Sequence, residues 1–280
     1  FLLLNSNTGY AMYSAQHPMH GTSFREFDAA PLPEDLRGRT LFDAGCGTGS
    51  LAVEAAARGA RVMASARSET ELAATGLPWV AADLGSREGC RRAVAETEQR
   101  LGPLDILVCN HGIGSAHEKV VWEQDPATWE ETLRINLDGP FHLTRLITAG
   151  MVEQRYGRCV YVASTAGDVA EYAGSAYTAA KHGLIGLAKA VAQDCGEFNV
   201  TSNAVLPGWV KTAMADRSAA ADAKIRGITA EEVWAERAAI YRPGRVATPQ
   251  EVAEMIAFFA SEESSGVSAQ AVKVALGSET

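Results

Sequence analysis

The sequence predicts an α/β fold: a single doubly wound Rossmann domain with a seven-stranded parallel sheet and helices on both faces. Three observations carry that expectation. Short apolar runs rich in β-branched residues alternate with segments of helical periodicity from Gly38 onward. The first such run, Thr40 to Ala44, opens directly into a glycine-rich turn and then a helix. A chain of 280 residues with 47% hydrophobic content can cover a central sheet on both faces, yet leaves no room for a second catalytic domain.

The elements follow in order. Residues 1–37 are polar, irregular and interrupted by Pro18, Pro31 and Pro33, and read as an N-terminal extension. Within it, His17-Pro-Met-His20 has no Cys or carboxylate cluster at ligand spacing, so it reads as a solvated loop and no metal site is expected. The domain proper is expected over 38–280. Apolar runs place strands at 40–44, 61–65, 79–82, 104–109, 159–163, 201–205 and 271–276. Helical spacing of apolar residues places helices at 51–58, 87–100, 175–195 and 249–260, with a long helix inside 126–155. Strictly alternating strands and helices can close only as parallel crossovers, which brings Gly45, Asn110 and Ser164 to one carboxyl edge. The stretch 212–241, helical over 230–239, is too long for a connection and reads as the body of a substrate lid at about 209–245.

Charge and cysteine usage exclude several functions. A formal net charge of -9 and no basic run longer than two residues argue against nucleic acid or an anionic membrane as partner. Cys46, Cys90, Cys109, Cys159 and Cys195 are odd in number, widely spread and free of C-x-x-C spacing, as suits buried thiols in a reducing cytosol. The opening Phe-Leu-Leu-Leu is too short for a signal peptide or a membrane span, so a soluble cytoplasmic protein is expected.

The chemistry concentrates in Ser164 to Lys181. Tyr177 and Lys181 stand one helical turn apart, and of seven tyrosines only Tyr177 has a lysine four residues on. A phenol titrates near ~10, so exchanging a proton with a carbonyl oxygen near neutral pH calls for a cation that favours the phenolate. Lys181 supplies that charge in this reading and Ser164 holds the substrate oxygen.

Ser164, the Tyr177/Lys181 pair, Asn110-His111-Gly112, Asn136 and Pro207-Gly208 together resemble, in type and order, the short-chain dehydrogenase/reductase family over roughly residues 60 to 276. The resemblance implies hydride transfer between NADP(H), or NAD(H), and a ketone or secondary alcohol. It gives Tyr177 the proton exchange and Lys181 the lowering of the phenol pKa and the nicotinamide ribose. Ser164 takes the substrate oxygen, and Asn136, at a kink in its helix, joins a proton relay. It puts Asp83 and Leu84 at the adenine, Asn110 and Gly112 at the adenine ribose, and Pro207, Gly208, Val210 and Thr212 at the nicotinamide carboxamide. His111 reads as a turn residue packed against the cofactor rather than a base. The family further implies a homodimer or homotetramer paired through the helix at 175–195.

The glycine loop departs from that pattern. Gly45 and Gly49 match the reductase spacing, but Leu51 stands at the third glycine and the segment to Gly59 is about three residues short. Asp43, Gly45, Gly47 and Gly49 instead resemble motif I of S-adenosylmethionine-dependent methyltransferases. Those enzymes end the second strand on a ribose-binding acid, where this chain has Ala66 and Arg67. Arg67 suits the 2′-phosphate of NADP, and Glu69 reads as a solvated helix residue. Two alternatives stay beside the oxidoreductase: an S-adenosylmethionine-binding methyltransferase-like protein, and a catalytically weak reductase-fold binding protein. Met214, Ile225, Ile228, Trp234 and Tyr241 suggest an apolar substrate, or equally the packing of the lid.

Overall fold

A strand with no exposed residue needs cover on both faces, and helices provide it. The computed structural model describes residues 3–6, 9–12, 36–46, 50–115 and 118–278, in two units, Phe1–Glu34 and Asp35–Thr280. In the first unit β1 (Leu3–Ser6) pairs antiparallel with β2 (Gly9–Met12), a hairpin where the sequence reads as irregular. The solvated-loop reading of His17 and His20 falls outside the described residues.

The second unit holds seven parallel strands: β3 (Thr40–Ala44), β4 (Arg61–Ala66), β5 (Trp79–Ala81), β6 (Ile106–Cys109), β7 (Gly157–Val162), β8 (Val200–Pro207) and β9 (Ala271–Val274). They lie in the order β5-β4-β3-β6-β7-β8-β9, as the doubly wound reading expects. The order reverses between β3 and β6, the place where such sheets open a crevice at their carboxyl edge.

Alternation along each strand builds two apolar layers. Phe42, Leu107, Tyr161 and Leu206 face α3 (Arg87–Leu101), α5 (Gly139–Gln154) and α6 (Ser175–Cys195), meeting Val94, Leu143, Ile147 and Leu184. Leu41, Val62, Val108 and Val205 face the other way, meeting Leu51 of α1 (Ser50–Ala57), Leu72 of α2 (Glu69–Ala74) and Val252, Ile256 and Phe259 of α9 (Pro249–Ala260). The helix expected inside 126–155 is two: α4 (Pro126–Leu133) and α5 are separated by a wide π-type turn at Arg134–Asp138. After β8, the excursion carries α7 (Ala213–Arg226) and α8 (Ala230–Ala239), and its ends are tied by a parallel bridge between Val210 and Ala247.

Among the buried polar residues of the strands, one is a carboxylic acid. Asp43 is fully buried in β3 opposite Ala64 and Val108, and neither carboxyl oxygen has a hydrogen-bond partner. Burial pushes its pKa up to about 7. A carboxyl whose folded pKa is raised holds its proton more tightly when folded. Its stabilising contribution is therefore complete below about pH 4 and lost as pH rises through about 7. Melting curves of wild type and Asp43→Asn should thus diverge between pH 5 and pH 7, the variant gaining on the wild type, with the gap constant above that range; a gap independent of pH would contradict the buried acid.

Candidate functional site

The crevice is assembled by backbone at the ends of β3 and β6. The Ala44 carbonyl accepts both Asn110 N–H (2.8 Å) and His111 N–H (2.7 Å), and Asn110 Nδ2 donates to the Gly45 carbonyl at 3.1 Å. Gly45 has φ of 97° and a Cβ there would overlap the His111 backbone, so only glycine allows this crossing. A cleft of about 830 Å³ opens over it. Arg67, Asp83 and Leu84 from the ends of β4 and β5 line it, as do Gly45, Asn110 and Gly112. Asn136, Ser164, Tyr177 and Lys181 line the same space, and so do Pro207, Gly208, Val210 and Thr212 after β8. Gly47 and Gly49 lie outside the described residues.

Helix α6 carries the reactive pair. The Lys181 ammonium donates to the Val162 carbonyl at 2.9 Å and sits 5.5 Å from the centre of the Tyr177 ring. Its side chain is buried, which pulls its pKa down to about 8. Burial likewise pushes the Tyr177 phenol up to about 12, while a hydrogen bond from Ser164 pulls it down and the Glu171 and Glu118 carboxylates push it up. The expected lowering by Lys181 is therefore not what dominates: the ammonium is turned towards Val162 and lies over the ring, and burial of the phenol prevails. At neutral pH the phenol is a proton donor.

Asn136 stands on the π-type turn, where the sequence reading places a kink. Its side chain is fully buried, accepts Ile113 N–H (3.2 Å) and donates to the Ile113 and Thr132 carbonyls, both at 3.1 Å. The wide turn leaves Thr132 C=O available, and the amide fills that need while fixing the strand of chain beyond Gly112. A Cβ on Gly112 would come within 2.5 Å of Asn136 Oδ1 and 3.7 Å of Lys181 Nζ, so the backbone passes close to both groups.

At the other residues, Asp83 pairs with Arg134 (3.1 Å) and accepts Gly85 N–H. His111 is neutral, its pKa pulled down to about 4 by burial, with Nδ1 3.3 Å from the Ala44 carbonyl and Nε2 buried without a partner. That agrees with a turn residue rather than a base. Of the apolar residues expected around the substrate only Met214 lines the cleft. Ile225 is 84% exposed, Ile228 and Trp234 pack against Ala219, Ala223 and Val233, and Tyr241 accepts Trp209 N–H at 2.6 Å. The lid-packing explanation holds for Ile228, Trp234 and Tyr241, while Ile225 faces outward. Sequence reasoning missed Cys46, Leu51 and Arg217 on the cleft wall, and the stack of the Arg237 guanidinium on Trp209 (3.6 Å) and Trp234 (5.1 Å). Cys46 and Leu51 stand in the glycine loop and at its missing third glycine, where the motif gives them no role, and no motif marks Arg217 or Arg237.

Comparison with known proteins agrees with this geometry. The family model described as enoyl-(acyl carrier protein) reductase matches residues 44–279. D-beta-hydroxybutyrate dehydrogenase of Cupriavidus necator is 33% identical, over 81% of this chain and 92% of that protein. Acetoacetyl-CoA reductase of Shinella zoogloeoides is 34% identical, over 68% of this chain and 74% of that protein. The crystal structure of a variant of actinorhodin polyketide ketoreductase with NADPH is 31% identical and superimposes with a TM-score of 0.80, over 85% of this chain and 96% of that one. The match begins at Ala44, so the turn that resembles a methyltransferase motif lies inside the reductase match, and the S-adenosylmethionine alternative finds no support.

The buried ammonium suggests a test. A lysine whose pKa falls on folding costs stability at neutral pH, so Lys181→Met should melt higher than wild type at pH 7 by roughly 1–3 kcal/mol of unfolding free energy. The advantage should shrink as pH rises from about 8 towards 10. Thermal melts at pH 7 and pH 9.5 read both effects; a variant no more stable at either pH would contradict the burial cost.

Proposed function

Because the chain belongs to the short-chain dehydrogenase/reductase family and is an oxidoreductase of that type, we propose that it interconverts a ketone and a secondary alcohol with NADP(H) through Tyr177, Lys181, Ser164 and Asn136. The observation that carries this reading is the meeting, on one cleft wall, of the Tyr177 phenol, the Ser164 hydroxyl and a buried ammonium one helical turn from the phenol.

The cleft suits a dinucleotide. Its volume of about 830 Å³ falls in the range of cofactor sites, and Arg67 on its wall offers a planar cation for a phosphate. Arg67 would hold the 2′-phosphate that separates NADP from NAD. Asp83 and Leu84 would hold the adenine, and Gly45, Asn110 and Gly112 the adjoining ribose and phosphates, together with Gly47 and Gly49. Lys181, Pro207, Gly208, Val210 and Thr212 would hold the nicotinamide half. When bound, the nicotinamide ring supplies or accepts the hydride.

The chain's own groups handle the proton. Ser164 orients the carbonyl oxygen, and the Tyr177 phenol, protonated at neutral pH, donates to that oxygen as it becomes an alcohol. The Lys181 charge stabilises the phenolate that remains, and Asn136 fixes the backbone next to it. In the oxidative direction Tyr177 takes the proton back. The α7–α8 excursion acts as the lid, with Met214 presenting an apolar surface, so an apolar acyl or cyclic ketone is the proposed substrate class. The names of the relatives, a hydroxybutyrate dehydrogenase and an acetoacetyl-CoA reductase, support a carbonyl next to an acyl group. We place the protein in the cytoplasm as a homodimer or homotetramer pairing through α6; its five cysteines are buried and form no disulfide among the described residues. No helix among the described residues is long and apolar enough to cross a membrane.

Two measurements test the reading. Tyr177→Phe should lose at least about a thousandfold in kcat while still binding NADPH, since the general acid is gone and the cleft is not; full turnover would remove the assignment. Fluorescence titration with NADPH, NADH and S-adenosylmethionine should give the tightest binding for NADPH, and Arg67→Ala should erase its advantage over NADH. Silence with both nicotinamide cofactors would leave only the weak binding protein.

A further inference from the structure

Helix α6 starts without a cap of its own. Its N-cap is Gly174, which has no side chain to accept a hydrogen bond, and Ser175 Oγ is buried with no partner. The first N–H groups of a helix have no intrahelical acceptor, and leaving them unpaired in a part-buried place is costly. Here a residue 58 and 59 positions earlier supplies the acceptor: Glu118 Oε2 takes the N–H of Ala176 and Oε1 the N–H of Tyr177, both at 2.8 Å. A carboxylate that grips two successive N–H groups fixes the helix start in both translation and rotation.

We propose that Glu118 is a positioning residue for Tyr177: its carboxylate clamps the first turn of α6 and thereby sets where the phenol stands and how negative its surroundings are. The inference rests on the reading of Tyr177 as the proton donor. Glu118 reaches the helix from the loop after β6, the same loop whose Gly112 and Ile113 meet Asn136 and Lys181. A single stretch of chain thus fixes both the reactive helix and the relay amide. A second carboxylate, Glu171, is held nearby by Ser115 Oγ at 2.9 Å, and its backbone N–H donates to Thr178 Oγ1.

The charged and titratable groups around the phenol come from every neighbouring element. Lys181 lies on α6 itself, Ser164 at the end of β7, Glu171 in the segment before α6, Glu118 in the loop after β6, and Arg217 of α7 lines the same cleft. Glu171 and Glu118 both disfavour the phenolate. Removing the Glu118 charge therefore makes the phenol more acidic, whereas removing the clamp misplaces it. Two variants separate these effects: Glu118→Gln keeps the length and one acceptor but loses the charge, and Glu118→Ala loses both.

The experiment measures kcat, KM and the pH profile of alcohol oxidation for wild type, Glu118→Gln, Glu118→Ala and Tyr177→Phe. Glu118→Ala should lower kcat by roughly tenfold or more with the KM for NADP nearly unchanged, and Glu118→Gln should recover most of that loss. In both, the pH at which the oxidative rate reaches half its plateau should fall by about half a unit or more. A half-plateau pH equal to that of wild type in both variants, whatever happens to kcat or to melting temperature, reduces Glu118 to a helix cap and overturns the proposal. A fully active Tyr177→Phe sinks the assignment of the reaction; an inactive one beside an unmoved Glu118→Gln profile sinks the role of Glu118 alone.

Discussion

A positive charge kept inside the protein is the constraint around which this site is arranged. An ammonium group removed from water must be given partners, and Lys181 has only the Val162 carbonyl at 2.9 Å and the face of the Tyr177 ring. Keeping it there requires the end of β7, which provides that carbonyl, and α6, which provides the ring. The loop beyond β6 passes so close to the Asn136 amide that a Cβ at Gly112 would overlap it, 3.7 Å from the ammonium. The π-type turn follows from the same requirement, because Asn136 can grip that loop through both Ile113 groups only if its helix is locally widened. The two apolar layers on either face of the sheet hold these elements in place.

Asp43 and the Tyr177/Lys181 pair are two buried sets of ionisable groups with different settings. The phenol and ammonium both line the cleft, the ammonium 5.5 Å from the centre of the ring, so their perturbed acidity has a chemical use. Asp43 is buried in β3 and is not among the residues that line the cleft, and its carboxyl oxygens have no hydrogen-bond partner among the described residues. Its position two residues before Gly45 is the one the methyltransferase motif would also occupy. The resemblance there is local: the strand and turn match, and everything that follows along the sheet is that of a reductase.

Much of this was legible in the sequence. The apolar runs of the strands and the helical spacing of α6, α8 and α9 reflect side-chain burial on a regular backbone, so the limits of these three helices coincide with the sequence reading and those of the strands lie within two residues of it. The order of Asn110, Asn136, Ser164, Tyr177 and Lys181 was readable because each sits at a strand end or on one helix face, where local spacing dictates placement. What escaped was non-local or electrostatic. Glu118 looks like any loop carboxylate, Arg134 like any helix arginine, and Arg237 gives no sign of stacking on Trp209. The surroundings of Tyr177 are non-local too: spacing shows that Lys181 is near, but only the fold shows that the ammonium faces Val162 and that the phenol is buried.

The central claim is that this cleft moves a hydride to a carbonyl carbon while Tyr177 moves the proton. The most direct test incubates the protein with NADPH deuterated at the nicotinamide C4 and a short 3-oxoacyl ester, and follows the product alcohol by mass spectrometry. The account predicts deuterium at the carbinol carbon, from one face of the nicotinamide only, and none with Tyr177→Phe. Alcohol formed without deuterium from either face, or no alcohol from any 3-oxoacyl, cyclic or aromatic ketone despite tight NADPH binding, would contradict it.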